Sequence, residues 1–370
     1  MRALISPDSF GDTLTAVAAA DAIAAGWILG RPDDDVVRAP LSDGGPGFVD
    51  VLATRFGEVI TTTVRGPLGD PVDARWLLHH DDGHVTAYIE CAQACGLHQV
   101  GRPTPDTAWA ATTHGVGELV LAALARGATA VVVGLGGSAT TDGGVGMLEA
   151  LAAAAGSTGT DLAAAADLVT PLDLIVASDV ENPLLGEWGA AHVFGPQKGA
   201  DADTVARLET RMAQMDERLT ALAGRVVSDE PGAGAAGGLG AALLALGGRR
   251  VSGATVIAEA IGFESLVAAA DVLITGEGRF DSQTLRGKVV AAAASAAAAH
   301  AVPVVVVAGQ VTLARSAISD AGIAEAHAIV DIADSTEHAM GEAGPLLERL
   351  VADIARGWTT PRGGPGGPPE

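Results

Sequence analysis

Positive charge is scarce in this chain. Its 370 residues include 22 Lys and Arg against 45 Asp and Glu, a formal net charge of -23. Only two of the basic residues are lysines, Lys198 and Lys288. A nucleic-acid binder needs a basic patch to neutralise phosphates, and an anionic membrane surface repels an acidic chain, so neither partner is expected. Aromatic residues make up only 3%, so the core must be built mainly from Ala, Val, Leu and Ile. Cysteine is limited to Cys91 and Cys95. Two cysteines make no disulfide framework, and this pair lacks a second pair of zinc ligands. Small buried thiols in a reducing, cytoplasmic compartment are the expectation. No stretch of about 18 apolar residues is free of glycine and charge, so no membrane span is expected. Residues 289–307 come closest, and His300 and Pro303 interrupt them. The first five residues lead straight into a strand-like run without a basic segment and a long apolar segment, so no secretory signal is expected either.

What the chain does have is an ordinary globular balance, 48% hydrophobic and 18% charged residues. Its length exceeds what one hydrophobic core usually holds, which predicts two domains. Short β-branched runs alternate with longer Ala-rich helical runs. Residues 2–6, 36–39, 131–135, 174–177, 272–275 and 304–308 read as strands, and residues 13–29 as an amphipathic helix. Apolar runs without strict alternation suit strands covered on both faces, and helices between them predict βαβ units and a parallel sheet. Residues 58–64, 72–78 and 85–90 break this pattern. They read as an antiparallel meander joined by the turn signals Gly66-Pro67-Leu68-Gly69-Asp70 and Asp81-Asp82-Gly83. The meander predicts a second, smaller domain inserted into the first, which takes in a later segment around residues 180–262. Residues 152–170 are low-complexity Ala, Gly and Thr, read as a short helix and a loop. The last twelve residues, 359–370, are rich in Pro and Gly and are expected to be disordered.

Two glycine-rich segments carry the strongest chemical signals. Residues 134–144 follow an apolar run and precede a helical one, and they hold Gly136, Gly137, Ser138, Thr140 and Gly143. A glycine turn there lets backbone N–H groups approach an anion, and the helix dipole favours negative charge. The segment ends in no Gly-Lys-Ser/Thr and lacks the dinucleotide fingerprint, so it is either an anion loop of another kind or a tight turn that binds nothing. Residues 276–288 follow the run 272–275 and combine both charge signs among glycines. Glu277 and Asp281 could hold a divalent metal or act as a base, and Arg279, Arg286 and Lys288 could grip phosphate or carboxylate.

Carboxylates recur at predicted strand ends: Asp8 after the first, Asp43 after the second and Asp179 after residues 174–177. In a parallel sheet these ends share one edge, so the three could converge for magnesium or general-base work, although Asp is also a common turn residue. Lys198 sits in a Gly/Pro turn where it could reach a phosphate. Residues 231–240, with Gly234, Gly237 and Gly238, could bind an anion or let a helix pack tightly. The histidines show no pattern, and no G-x-S-x-G elbow is present.

Taken in order, Pro7-Asp8-Ser9-Phe10, Asp43-Gly44-Gly45, Gly66-Pro67-Leu68-Gly69, Gly136-Gly137-Ser138-Ala139-Thr140, Asp142-Gly143-Gly144, Asp179-Val180-Glu181-Asn182-Pro183-Leu184, the stretches 194–199 and 231–240, and Gly276-Glu277-Gly278-Arg279 through Gly287-Lys288 resemble the bacterial glycerate kinase family over nearly the whole chain. The resemblance implies ATP-dependent phosphorylation of D-glycerate to a phosphoglycerate, with Mg2+. It implies an α/β fold of two α/β domains with the site between them, one domain Rossmann-like with a parallel sheet, the second smaller with a mixed sheet. The corresponding ranges are 1–57, 106–178 and 263–358 for the Rossmann-like domain, and 58–105 with 179–262 for the second. On this reading the Gly136 to Gly144 loop or the Gly232 to Gly240 run cradles ATP phosphates, with Lys198 as a further phosphate contact. Asp8, Asp43 or Asp179 serves as base or holds magnesium. Arg279 and Lys288 bind the carboxylate or the moving phosphoryl group. A homodimer is one assembly to test.

The chain departs from the family pattern at several positions. Gly11 stands where the family has Lys, Pro46 where it has Glu, Thr141 where it often has Asn, and Gln93-Ala94-Cys95-Gly96 where it has Glu-Ala-Ser-Gly. A charged hydrogen bond of the kind a lysine makes is worth about 1.5–3 kcal/mol. The departures keep two rivals in view: a related kinase acting on another small hydroxy acid, and a ligand-binding protein without turnover. An NAD-dependent oxidoreductase is disfavoured by the missing fingerprint.

Overall fold

A computed structural model describes residues 1–157, 161–282, 284 and 289–359. Arg286 and Lys288, the end of the expected tail (360–370) and residues 158–160 of the low-complexity stretch lie outside them. The described strands are β1 (Arg2–Ile5), β2 (Asp35–Arg38), β3 (Glu58–Arg65), β4 (Pro71–Asp81), β5 (His84–Glu90), β6 (Ala130–Gly134), β7 (Asp173–Ala177), β8 (Arg249–Val251), β9 (Val272–Phe280), β10 (Val304–Val311) and β11 (Glu325–Ala328). The chain forms two compact units. One runs from Met1 to Asp43 and resumes at Ile257, and the other is the continuous segment Gly44–Val256.

In the first unit five strands lie in the order β11-β10-β9-β1-β2, all parallel. Continuous apolar runs such as residues 304–308 suit this sheet because helices cover it. The helices Ala16–Gly30 and Ala343–Gly357 pack together, with Trp27, Leu347, Val351 and Ala355 in the shared core. Thr15 caps the first of these helices by accepting from the Ala18 N–H at 3.1 Å. Strand β9 runs past the apolar residues 272–275 into the charged, glycine-containing segment and ends at Phe280. Its pairing with β10 continues through Ala308↔Glu277 and Gln310↔Arg279 to Val311↔Phe280. Glycine makes this possible, because a Cβ at Gly276 would overlap the Val307 carbonyl oxygen.

The second unit carries the mixed sheet β3-β4-β5-β6-β7-β8. The meander forms as expected, β3–β4–β5 antiparallel. Its second turn has positive φ at both Asp82 (41°) and Gly83 (86°), the twist a two-residue hairpin needs. Strands β6, β7 and β8 then extend the same sheet in parallel, starting with Thr86↔Ala130. Residues 106–178, grouped by sequence with the first domain, therefore belong here, and this unit is the longer of the two. Apolar periodicity marks a strand as buried on both faces but does not say which of two sheets it joins. Cys91 and Cys95 are free and buried, as expected. Among the described residues, no helix is long and apolar enough to cross a membrane.

Candidate active site

In the first unit the chain moves from β1 outward to β2, while β9, on the other side of β1, leads outward to β10 and β11. This is a topological switch point, where parallel α/β sheets open a crevice at the carboxyl ends of the strands. A cavity of about 980 Å³ lies there. The exit of β1 supplies Asp8 and Ser9, the exit of β2 supplies Asp43, and the end of β9 supplies Glu277, Arg279 and Asp281. Gly309 and Gln310 come from β10, and Ile329, Val330, Met340 and neighbouring residues close the far side. The structure thus brings five of the residues named from the sequence to one cavity. Asp8 is anchored at both ends. Its N–H donates to the Gly276 carbonyl at 2.8 Å, and its Oδ1 accepts from the Ser9 N–H at 2.7 Å. Arg279 lies 3.6 Å from Asp281, with its side chain 65% exposed. A pair so exposed contributes only about 0–1 kcal/mol, so an anionic ligand can recruit the guanidinium cheaply. Among the described residues, no three His, Cys, Asp or Glu side chains form a ready-made metal cluster.

The second unit holds the other candidates. Asp179, at the end of β7, accepts from the Gly253 N–H at 3.2 Å. The two glycine runs interlock with each other. Gly143 N–H donates to the Gly237 carbonyl at 2.9 Å, and the Thr140 hydroxyl donates to the Ala236 carbonyl at 3.2 Å. A Cβ at Gly237 would overlap the Thr140 carbonyl oxygen, and one at Gly234 the Pro183 carbonyl oxygen. Gly136 and Gly137 lie closer to the surface than Ser138, Thr140 and Gly143, which are buried. The helix Val145–Ala154 already has an anion at its N-terminus. Asp142 accepts from the N–H groups of Thr113, Gly144 and Gly146 and from the Thr113 hydroxyl. Lys198 is buried, and its Nζ donates to the Thr140 carbonyl at 2.6 Å and to Ser138 Oγ at 3.2 Å. Burial lowers its pKa to about 8, against the opposing pull of Cys95, Cys91 and Asp142. In this position Lys198 ties the 138–140 loop to the turn Pro196–Lys198.

One buried titratable group in the second unit has no motif around it in the sequence. Glu90, at the end of β5, is buried, and its Oε2 accepts from the Gly47 N–H at 3.0 Å. Burial pushes its pKa up to about 7, helped by Asp50 and opposed by hydrogen bonds from Gly47, Val49 and Gln93. The folded protein therefore holds this proton more tightly than the unfolded chain, whose ordinary value is 4.5. The resulting stability is fully present below that value and is lost as pH rises towards about 7. Glu90→Gln should flatten this loss: its melting temperature should fall less between pH 5 and pH 8 than that of the wild type. Parallel melting curves across that interval would rule the coupling out.

A switch-point cavity lined by carboxylates and an arginine is suited to phosphoryl transfer, in which positioning and charge do most of the work. Comparison with known proteins narrows this. The chain belongs to the glycerate kinase family, whose model matches residues 3–359, and is therefore a kinase, a phosphotransferase. It is 41% identical to the glycerate kinase of Bacillus subtilis strain 168 over 375 aligned residues, covering 96% of this chain and 97% of that one. It is 39% identical to the glycerate 2-kinase of Escherichia coli K12, with 89% of each chain covered. An uncharacterised protein of Mycobacterium bovis is 53% identical over 96% of this chain and 91% of its own length. A solved structure of a candidate glycerate kinase 2 from Salmonella typhimurium LT2 superposes with a TM-score of 0.76 at 34% identity, covering 96% of this chain and 97% of that one.

Proposed function

We propose that the protein transfers the terminal phosphoryl group of ATP to a hydroxyl of D-glycerate. The observation that carries this reading is the meeting of Asp8, Asp43, Glu277, Asp281 and Arg279 on one cavity at the switch point of the parallel sheet. In the transfer, a bond forms between the substrate hydroxyl oxygen and phosphorus, and the bond to the leaving diphosphate oxygen breaks. Asp8 takes the hydroxyl proton, held in place through Gly276 and Ser9. Arg279 binds the carboxylate or the moving phosphoryl group. Hard carboxylate oxygens suit Mg2+, which is commonly held by one or two carboxylates together with substrate phosphates. That donor set fits a cavity lined by several carboxylates, and Glu277 and Asp281 are the proposed holders. When bound, the ion neutralises phosphate charge. Lys288 remains a proposed phosphate contact, and the 136–144 loop and Lys198 are assigned to shaping the second unit.

A second reading, transfer to another small hydroxy acid, is favoured by one observation. Gly11 lines the cavity where the family pattern has lysine, and the space around it is open. An ADP-release assay with Mg2+, ATP and D-glycerate, with L-glycerate as control, tests the first reading. Turnover specific for the D-isomer is expected. Turnover only with other hydroxy acids in the same panel would establish the second reading instead.

A further inference from the structure

We infer that the side of this cavity formed by Ile329, Val330, Ala339, Met340 and Ala343 seats the purine base of the nucleotide. The inference rests on the kinase reading, because it needs a nucleoside triphosphate as one of two substrates. At about 980 Å³ the cavity lies at the upper end of the range for sites that take drug-sized ligands, roughly 300–1,000 Å³. A three-carbon hydroxy acid fills a small part of it and has almost no apolar surface to bury. A nucleotide is large enough, and its base needs an apolar wall.

The carboxylates and Arg279 stand at the ends of β1, β2 and β9. The five apolar residues carry no charge and come from the turn Ile329–Asp331, just after β11, and from the helices Thr336–Gly341 and Ala343–Gly357. Strand order converts this into a line. From the turn after β11 to β9, which carries Arg279, there are two strand spacings, together about 10 Å, a distance suited to a phosphate chain with its base at one end. The path between them passes Gly309, which has no side chain to obstruct it.

Ile329, Ala339 and Ala343 are buried and present small, fixed apolar surface, whereas Met340 is 58% exposed. An exposed methionine on a cavity wall is a poor feature for solubility and a good one for covering an aromatic ring, since the thioether is deformable and polarisable. The base would lie between these surfaces, with its phosphates towards Arg279.

The test is equilibrium binding of ADP and of inorganic tripolyphosphate to the full chain, measured by calorimetry for the wild type, Met340→Glu and Met340→Leu. Met340 is exposed, so both variants should fold, as their melting temperatures will show. The expected result is that Met340→Glu weakens ADP binding about tenfold and tripolyphosphate binding less than about twofold, while Met340→Leu stays within about twofold for both. Unchanged ADP binding in Met340→Glu, or equal losses for ADP and tripolyphosphate, would overturn the assignment. The kinase reading fails separately. A wild type that binds ADP in the expected pattern yet phosphorylates no D-glycerate keeps the base seat and loses the activity. A wild type that turns over, with ADP binding indifferent to Met340→Glu, keeps the activity and loses the seat.

Discussion

Asp8→Asn should lower kcat/KM for D-glycerate by about 10²–10⁴, the range that a positioned general base supplies. The substitution preserves shape. The amide oxygen can still accept from the Ser9 N–H, and the main-chain bond to Gly276 is untouched. The fold and ADP affinity should therefore change little, and the loss should appear in turnover. Steady-state kinetics beside calorimetric ADP binding would separate the two. A loss smaller than about fivefold would remove Asp8 from the proton-accepting role and pass it to Asp43, the carboxylate at the neighbouring strand end of the same cavity.

Gly237→Ala should be the most damaging single methyl group in the second unit. Gly237 has φ 65°, and its added Cβ would run into the Thr140 carbonyl and come within 2.6 Å of Thr141 Cα. That backbone cannot step aside, because Thr140 is fixed through its carbonyl by Lys198 and through its hydroxyl by Ala236. Strain at φ combined with a backbone clash places the expected cost at about 3–5 kcal/mol. Gly127→Ala is the control. Its φ of 81° carries the same conformational penalty, but nothing lies within 4 Å of the new atom, so the cost should be about 1 kcal/mol. Urea denaturation of the two variants reads the difference, and equal costs would mean that the interlocked glycine runs do not hold this unit together.

Local signals in the sequence proved sufficient where one strand or turn decides the outcome. The strands at residues 2–6, 131–135 and 304–308 form where β-branched runs predict them, and the Asp82-Gly83 turn forms because both positions tolerate positive φ. Strands β8 and β11 were not legible. Each is short and carries charged or polar residues, Arg249-Arg250-Val251 and Glu325-Ala326-His327-Ala328, and pairs at the end of a sheet that the rest of the chain provides. The polar side of the cavity was legible because Asp8, Asp43, Glu277 and Asp281 follow strand-like runs. Its apolar side was not, since Ile329, Ala339 and Met340 resemble ordinary core residues until the fold turns them towards the cavity. Glycine runs were ambiguous for a physical reason. Close approach to a phosphate and close approach to another backbone both demand the absence of a side chain, and here Gly234, Gly237 and Gly238 meet backbone.

Strand β1 pairs with β9, Ala3 against Val272 and Ile5 against Ile274, on either side of the continuous segment Gly44–Val256. On the ribosome, then, the first strand made is among the last to find its second neighbour. The middle segment has all of its own strands once Val251 has emerged and can begin folding then, whereas the pairing that closes it at both ends comes only later. Until β9 appears, residues 2–5 and 35–38 are a two-stranded fragment that is too small to be stable alone. The loop-closure cost of that pairing falls on the first unit alone, which makes its assembly the slow step expected in refolding.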